Sequence, residues 1–450
     1  MNKLFGTDGI RGKANTYPMT CDLVLQAGKA IGVFVKEQGY KTIIIGKDTR
    51  ISSDMLESAI SAGIASTGVD VLLAGVIPTA GVAFLCTMSK NIGAGIVISA
   101  SHNPYEDNGI KLFDNNGKKL SDEKENLVEK YIVQKQDIKQ NHIGKIEILK
   151  DSLKIYSKFL LGLFPNFKPK KKIKIIIDCS NGAASKIVQQ IFIDELFDAQ
   201  FINNSPDGKN INKECGSQHT QELEKNVLIQ KADLGFAFDG DADRVIAIDE
   251  KGEKITGDRV LAICAKFAKQ KNKLKNNVVV STVMSNIGLV KVLEELDIVN
   301  ITAQVGDRRV LEKMYEHGAV IGGEDSGHMI FLDNHTTGDG ILTSLKLLEV
   351  IMFTGKSLSK LAKTMKVYPQ ILMNVKTSSN KPDFMKIQEI ADTIKLVEQK
   401  LNGKGRVLVR YSGTQPLLRV MIEGENQVLI EKYCNQICDS IMHNIDKAQN

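Results

Sequence analysis

Three stretches of this 450-residue chain repeat one pattern, and the pattern limits the folds open to it. In each, a short β-branched run leads into a polar loop, then an amphipathic helical pattern, then another apolar run. The first is Thr42–Ile45, GKDTRISSDM and a helix to about Ala65, returning as VDVLLAG. The second is Lys174–Ile177, DCSNGAAS and a helix-like segment, returning as AQFINN. The third is Val278–Val280, STVMSNIG and LVKVLEEL, returning as DIVNITAQ. Ser, Thr, Asn and Asp in the loops supply helix caps, and the change of hydrophobic period separates strand from helix. Repeated strand–helix–strand units predict mostly parallel sheets with helices packed on both faces. The last part differs: RVLVR, a loop and LLRVMIEG read as a strand pair beside helices, a smaller α+β domain. At roughly 150 residues per domain the length suggests about three domains. Polar Asp137–Lys150, basic Phe167–Lys174 and Lys363–Gln370 are candidate joints.

Composition removes several classes of function. Lys and Arg exceed Asp and Glu by only 59 to 53, too little to point to nucleic acid and compatible with a small anionic substrate. The seven cysteines are scattered without a C-x-x-C pair, so neither a zinc site nor a disulfide framework is expected. Cys434 and Cys438, one helical turn apart, read as two thiols on one helix face. MNKLFGTDG lacks the apolar core of a signal peptide, and no apolar run approaches the roughly 18 residues of a membrane span. A reducing cytoplasm is the expected compartment.

Four polar segments carry chemistry. AGIVISA ends abruptly in Ser101-His102-Asn103-Pro104, which places Ser101 at a loop tip beyond a strand end, where ligands bind in α/β sheets. A serine hydroxyl is a weak nucleophile and needs activation. His102 is not expected to be its base, because adjacent side chains usually point apart, and no G-x-S-x-G elbow is present. A capping serine in an ordinary turn is the plain alternative.

In DGDADR, Asp239, Asp241 and Asp243 follow the strand-like LGFAF. On extended backbone three carboxylates at this spacing point the same way, and a hard cation such as Mg²⁺ would relieve their repulsion. Asp239, Asp241, Asp243 and Glu250 also match an EF-hand loop at positions one, three, five and twelve. Arg244 stands where that loop needs glycine, and the flank is strand-like, so a calcium loop is rejected. An acidic turn without metal remains open.

Glu324-Asp325-Ser326-Gly327-His328 places Glu324 and Ser326 on one side of an extended chain, able to grip sugar hydroxyls, with Asp325 opposite. Arg410, Ser412, Gly413, Thr414 and Arg419 make a phosphate cradle or a basic hairpin loop. GTDGIRG, GIKLF and Gly306-Asp307-Arg308 each bring a cation; Gly338–Gly340 reads as a turn. A carrier hydroxyl, a metal cage, a sugar grip and a remote phosphate cradle together suit a mutase better than a phosphatase, which needs only the first two.

The order and wording of FGTDGIRG, ISASHNP…NGIKLF, DGDADR, VGDRRV, GGEDSGH, TTGDG and RYSGTQPLLRVMIEG resemble the α-D-phosphohexomutases, nearest their bacterial glucosamine-phosphate branch. The likeness runs from Phe5 to Gly424. It implies four domains around a central cleft, three related mixed α/β domains and a smaller C-terminal α+β domain. On this chain they would be 1–151 (phosphoserine-bearing), 152–254 (metal-binding), 255–367 (sugar recognition) and 368–450 (phosphate-binding). By resemblance Ser101 is the phosphoserine carrier and binds one Mg²⁺ per subunit with Asp239, Asp241 and Asp243. Arg11, His102 and Lys111 become the phosphoserine-side cations and proton handlers, their division of labour left open. Arg244, Gly306, Asp307, Glu324, Ser326 and His328 face the sugar, and Arg410, Ser412, Gly413, Thr414 and Arg419 the non-reacting phosphate.

The implied reaction interconverts hexosamine 6- and 1-phosphates, with a hexose 1,6-bisphosphate as intermediate and activator, and feeds amino-sugar and cell-wall precursor synthesis. The partner is then a small hexosamine phosphate, with no nucleic acid or membrane, in a monomer or homodimer. Two residues depart from that branch: Asp325 stands where Gln is usual and Gln415 where Glu is usual. The alternatives are a mannose or glucose preference with the same machinery, a Ser101-independent metal phosphatase, and a non-catalytic sugar-phosphate binder.

Overall fold

Each sequence repeat builds one sheet, and the three sheets share a four-strand plan. In this computed structural model residues 3–6, 8–135, 142–165, 171–193, 195–377, 381–412 and 417–445 are described. The first sheet holds β1 (Ile10–Lys13), β2 (Thr42–Lys47), β3 (Asp70–Val76), β4 (Ile92–Ile98), β5 (Asp107–Asp114) and β6 (Ile146–Ile148), in the order β1-β5-β4-β2-β3-β6. The second holds β7 (Ile173–Asp178), β8 (Phe197–Ile202), β9 (Leu234–Phe238), β10 (Val245–Asp249) and β11 (Lys254–Ile255), in the order β11-β10-β9-β7-β8. The third holds β12 (Val278–Thr282), β13 (Val299–Ala303), β14 (Ile321–Gly323) and β15 (Met329–Phe331), in the order β13-β12-β14-β15.

In all three, the β-branched strand of the repeat (β2, β7 or β12) lies between two parallel neighbours. The next strand then returns antiparallel, β4 to β5, β9 to β10 and β14 to β15. That return strand makes each sheet mixed, while the parallel pairings still predominate in the first and third sheets. The connections span only residues 99–106, 239–244 and 324–328, and a parallel pairing needs a crossover of a dozen or more residues. The three loops are therefore equivalent positions in three equivalent sheets.

The chain forms two compact units. The first, Met1–Met284 with Asp297–Thr364, contains these three sheets. The first sheet is cored by Ile43, Ile45, Ile96 and Ile98 against Val24, Ile31 and Ile60 of the helices Cys21–Glu37 and Ser53–Ala65. Ile176, Ala237 and Ile248 with Leu223 and Val227 core the second, and Val280 and Ile330 with Val310 and Met314 the third.

The second unit is Ser285–Leu296 with Met365–Asn450. Its sheet is antiparallel: β16 (Gln370–Lys376), β17 (Gly405–Tyr411) and β18 (Leu417–Gly424), in the order β16-β18-β17. The expected strand pair is β17 and β18; β16 is a third strand that begins where only a joint was expected. The helix Ile287–Glu295 of the third repeat belongs to this unit. Asn286 caps it, donates to the Tyr368 carbonyl (2.9 Å) and accepts from the Tyr368 N–H (3.0 Å). Of the other expected joints, Asp137–Lys150 contains β6, with 137–141 outside the described residues, and Phe167–Lys174 runs into β7, with 167–170 outside them.

Candidate active site

The loops 99–106, 239–244 and 324–328 meet in the first unit. Ser101 lies on the β4–β5 connection as expected, but it is only 1% exposed, because the β9–β10 loop covers it. Its hydroxyl donates to Asp239 Oδ2 at 2.6 Å. Ser101 has φ +53°, which is uncommon for a residue with a Cβ. The turn also overrides the expectation for His102: Nδ1 stands 3.3 Å from Ser101 Oγ. Burial and the neighbouring Arg244 charge push the His102 pKa down to about 4, so the imidazole is neutral there.

Arg50 and Asn212 fix this loop and were not read from the sequence. Arg50 Nη2 donates to the carbonyls of Ser101 (2.9 Å) and Asn103 (2.8 Å), and Asn212 Nδ2 donates to the same two at 2.9 and 3.0 Å. Asp48 holds Arg50 from below at 2.9 Å. The only sequence sign of Arg50 was its place in the first repeat's polar loop, GKDTR.

Asp239, Asp241 and Asp243 are buried and converge, with one oxygen from each inside 4.8 Å. They do not sit on extended backbone. The loop turns, with the Ala242 N–H bonded to the Asp239 carbonyl and Ala242 at φ +56°, and it is this turn that gathers the carboxylates. Glu250 points elsewhere, accepting from the Ser359 hydroxyl at 2.5 Å and backbone N–H at 3.1 Å. Thr79 Oγ1 and Lys111 Nζ donate to Asp241 Oδ2 at 2.5 and 2.7 Å, and Lys111 reaches Asp243 Oδ2 at 3.3 Å.

Burial and the charges of Asp243 and Asp241 push the Asp239 carboxyl well up. Burial would do the same to Asp243, but Lys111 and His328 hold it well below the usual carboxylate range. Burial opposes the Lys111 charge, while Asp241, Asp8 and Asp243 overcome that and raise its pKa. Asp241 Oδ1 and Asp243 Oδ1 are buried without a hydrogen-bond partner among the described residues. Two orphaned oxygens beside a third carboxylate fit a hard divalent cation with oxygen ligands.

The residues expected to face the sugar lie on and around the third loop. Glu324 Oε1 accepts from the Gly306 N–H at 2.9 Å, and the Ser326 hydroxyl is shielded from solvent with no hydrogen-bond partner among the described residues. Asp325 is turned to other work: Oδ1 accepts from the Asp258 N–H at 3.2 Å, in the first turn of the helix Gly257–Gln270. Arg244 forms an isolated β-bridge with His328, joining the second and third loops. A Cβ on Gly327, at φ +92°, would stand 2.3 Å from the Val245 carbonyl oxygen, so only glycine allows that approach. Asp307 begins the helix Asp307–His317 and faces His328 Nε2 at 3.8 Å. TTGDG supports the ring from behind, since a Cβ on Gly338 would lie 2.1 Å from His328 Nε2. Arg11, on β1, is tied to Asp8 and does not bond Ser101.

In the second unit Arg410 and Arg419 are cross-strand partners on β17 and β18. Burial and the Arg419 charge lower the Arg410 pKa, and Arg419 Nε is buried with no hydrogen-bond partner among the described residues. Like charges directly opposite are unfavourable in a sheet, and a bound anion would relieve the pair. Ser412 closes the loop by donating its N–H to the Leu417 carbonyl at 2.8 Å. Gly413 and Thr414, with Gln415, lie outside the described residues.

Four family models match the chain: phosphoglucomutase/phosphomannomutase α/β/α domain I over 2–139, domain II over 154–252, domain III over 256–368 and the C-terminal domain over 372–440. A protein of Desulforapulum autotrophicum named phosphoglucosamine mutase is 54% identical, over 98% of this chain and 99% of that protein. Among solved structures, a phosphoglucomutase/phosphomannomutase family protein of Burkholderia thailandensis superposes with TM-score 0.82 at 22% identity, over 98% and 97% of the two chains. An Aspergillus fumigatus N-acetylphosphoglucosamine mutase, solved with GlcNAc-6P and magnesium, superposes with TM-score 0.68 at 16% identity, over 97% and 95%. At those identities the structural likeness speaks for the fold.

Proposed function

The chain belongs to the phosphoglucomutase/phosphomannomutase family, and we propose that within it this protein is a phosphoglucosamine mutase, an isomerase acting by phosphoryl transfer. It interconverts glucosamine-6-phosphate and glucosamine-1-phosphate through phospho-Ser101 and a glucosamine 1,6-bisphosphate. The observation that carries the reading is the Ser101 hydroxyl, 2.6 Å from Asp239 among three gathered carboxylates, in a chain whose 54%-identical relative bears that name.

The transfer asks little covalent chemistry of the protein and much positioning and charge neutralisation. An oxygen–phosphorus bond forms to the free sugar hydroxyl while the Ser101 Oγ–phosphorus bond breaks. The sugar hydroxyl gives up its proton and Ser101 Oγ regains one. The bisphosphate then turns, and the reverse transfer returns its other phosphoryl group to Ser101. Lys111 and Arg11 offer positive charge on the serine side, and His102 offers a neutral ring nitrogen close to Oγ. Glu324, Ser326 and His328, with Arg244, Gly306 and Asp307, meet the sugar. Arg410, Ser412, Gly413, Thr414 and Arg419 hold the phosphate that is not reacting.

Asp239, Asp241 and Asp243, with an oxygen on Ser101, would hold one Mg²⁺ per subunit. When bound, that ion supplies positive charge against the phosphoryl oxygens. Hexose 1,6-bisphosphate would prime the unphosphorylated enzyme. A phosphorylated, membrane-impermeant substrate goes with a cytoplasmic place at the entry to cell-wall precursor synthesis. Among the described residues no helix is long and apolar enough to cross a membrane.

The test is intact mass and peptide mapping of magnesium-loaded protein before and after glucosamine-6-phosphate, with turnover compared on glucosamine, mannose and glucose phosphates. One phosphate on Ser101 with glucosamine-1-phosphate as the preferred product is expected. A preference for mannose or glucose phosphate overturns the substrate; no phosphate on Ser101, even after a hexose bisphosphate, overturns the mechanism.

A further inference from the structure

We propose that Asp8 and Lys119 are positioning residues of the mutase reaction, closing a ring of alternating acidic and basic side chains that fixes where Lys111 and His328 stand; this rests on the functional reading above. The ring can be followed side chain by side chain. Asp8 pairs with Lys119, and Lys119 pairs with Asp307. Asp307 Oδ2 lies 3.8 Å from His328 Nε2, and His328 Nδ1 lies 3.8 Å from Asp243 Oδ1. Asp243 Oδ2 lies 3.3 Å from Lys111 Nζ, and Lys111 Nζ lies 3.4 Å from Asp8 Oδ2. Carboxylates alternate with basic side chains around the whole circuit, the basic members being Lys119, His328 and Lys111. The two histidine contacts are ion-pair rather than hydrogen-bond distances.

Six separate segments supply the members. Asp8 is in the turn closed by the Gly6–Gly9 bridge ahead of β1, and Lys111 is in mid β5. Lys119 is paired to Phe113 just beyond β5, and Asp243 is on the β9–β10 loop. Asp307 opens its helix, and His328 ends the β14–β15 loop. Lysine side chains lose much rotamer freedom when fixed, and a buried charge is tolerated only when paired. Both lysine side chains are nearly buried, at 2% and 6% exposure, and each is held between carboxylates. Burial works against the Asp8 carboxylate, but Lys111, Lys119 and Arg11 hold its pKa well below the usual range.

Four ring members already face serine, metal carboxylates or sugar. Asp8 and Lys119 do not: their charged partners are Arg11, Lys111 and Lys119 for Asp8, and Asp8 and Asp307 for Lys119. They act through those partners. A purely cohesive role has its own contact nearby and outside the ring. Arg308 donates to Glu125 at 2.6 and 3.0 Å and to Asp122, tying the helix Asp122–Val133 to the helix Asp307–His317. Glu125 is therefore the control.

The experiment compares full-length wild type, Lys119→Met, Lys119→Arg, Asp8→Asn and Glu125→Gln on whichever of the three hexose phosphates wild type turns over fastest. Imidazole ¹H–¹⁵N spectra are recorded alongside, with the His328 signal assigned by its loss in His328→Asn. Lys119→Met and Asp8→Asn are expected to lower kcat at least tenfold while KM moves less than threefold, and Lys119→Arg to recover most of the loss. The His328 signal should shift in Lys119→Met and stay in place in Glu125→Gln, which loses thermal stability but keeps its kcat. Asp8→Asn, isosteric with the native residue, decides the matter should Lys119→Met fail to fold. Unchanged kcat and an unmoved His328 signal in the ring variants overturn the proposal, as does an equal loss of kcat in Glu125→Gln. Failure of wild type on all three sugars overturns the functional reading instead, and the His328 signal then decides the ring.

Discussion

The Ser101 site and the Arg410–Arg419 pair both suit phosphate, yet they handle charge in opposite ways. Around Ser101 the ring charges meet opposite charges within the protein: Lys111 lies among Asp8, Asp241 and Asp243, and Lys119 between Asp8 and Asp307. On β17 and β18 two arginines face each other, and burial together with the Arg419 charge lowers the Arg410 pKa. The first arrangement is preorganised and resists movement during a transfer, which is what a reacting centre requires. The second stores repulsion that an arriving dianion relieves, which suits a holder that must take up and release phosphate. Charge removal should therefore damage the first region and relax the second.

The largest expected effect is Ser101→Ala. Without the carrier oxygen, turnover should fall by about four orders of magnitude or more. Because Ser101 is buried and donates to Asp239, unfolding should also become easier by about 1 kcal/mol, the cost of leaving a buried acceptor unserved. Turnover and a denaturant melt check both; a variant with near wild-type turnover removes Ser101 from the chemistry.

Asp241→Ala comes next. Losing one preorganised electrostatic partner should cost about 10²- to 10³-fold in kcat, together with the response to added magnesium. Thr79 loses its acceptor and Lys111 one of its two. Because Lys111 stays paired with Asp243 and Asp8, the loss of stability should stay at about 1–2 kcal/mol, that of one unmade buried hydrogen bond. Rate with and without chelator is the measurement. A variant that works equally well in chelator defeats the metal assignment.

Arg419→Gln tests the other side of the comparison. KM for the sugar phosphates should rise about 10- to 100-fold through the lost charge-assisted hydrogen bonds, with kcat falling less. Relief of the like-charge pair should leave the unit as stable or more stable by about 0.5 kcal/mol. Inorganic phosphate should raise the wild-type melting temperature more than that of the variant. A marked loss of stability in Arg419→Gln would mean that the arginines are structural and that the contrast fails.

The sequence made the three repeats legible because β-branched runs and helical periods are local properties. It hid the antiparallel return strands, since GIKLF reads as a polar cluster with a lysine until a neighbouring strand is known. β16 was hidden for a related reason: its exposed and half-buried residues look like a joint beside Lys363–Gln370. Ser101, Asp239, Asp241, Asp243, Glu324 and His328 were visible as chemistry, and the structure brings their loops together. The geometry was less visible. Ser101 is buried because a loop 138 residues later lies against it, and His102 reaches its hydroxyl because of a left-handed turn. Arg50, Asn212 and Lys119 carry no motif of their own, and Asp8, though inside GTDGIRG, has partners in Lys111 and Lys119 that lie far away in sequence, so only the folded chain shows what they hold.

The smallest expected effect is at Asp325, next to Glu324 on the β14–β15 loop. Its carboxylate accepts from the Asp258 N–H in the first turn of Gly257–Gln270, while Glu324 turns the other way to the Gly306 N–H. Asp325→Gln removes one negative charge from a helix N-terminus, worth about 0.3–1 kcal/mol, and keeps a side-chain oxygen that can still accept. Melting temperature should drop slightly, while kcat and KM stay within about twofold, since a surface-of-site change outside the main mechanisms rarely exceeds ~0.5 kcal/mol. If instead the substitution changes the preference among hexose phosphates, Asp325 reads the sugar. The line between groups that meet substrate and groups that hold the scaffold would then have to be drawn one residue further into the loop.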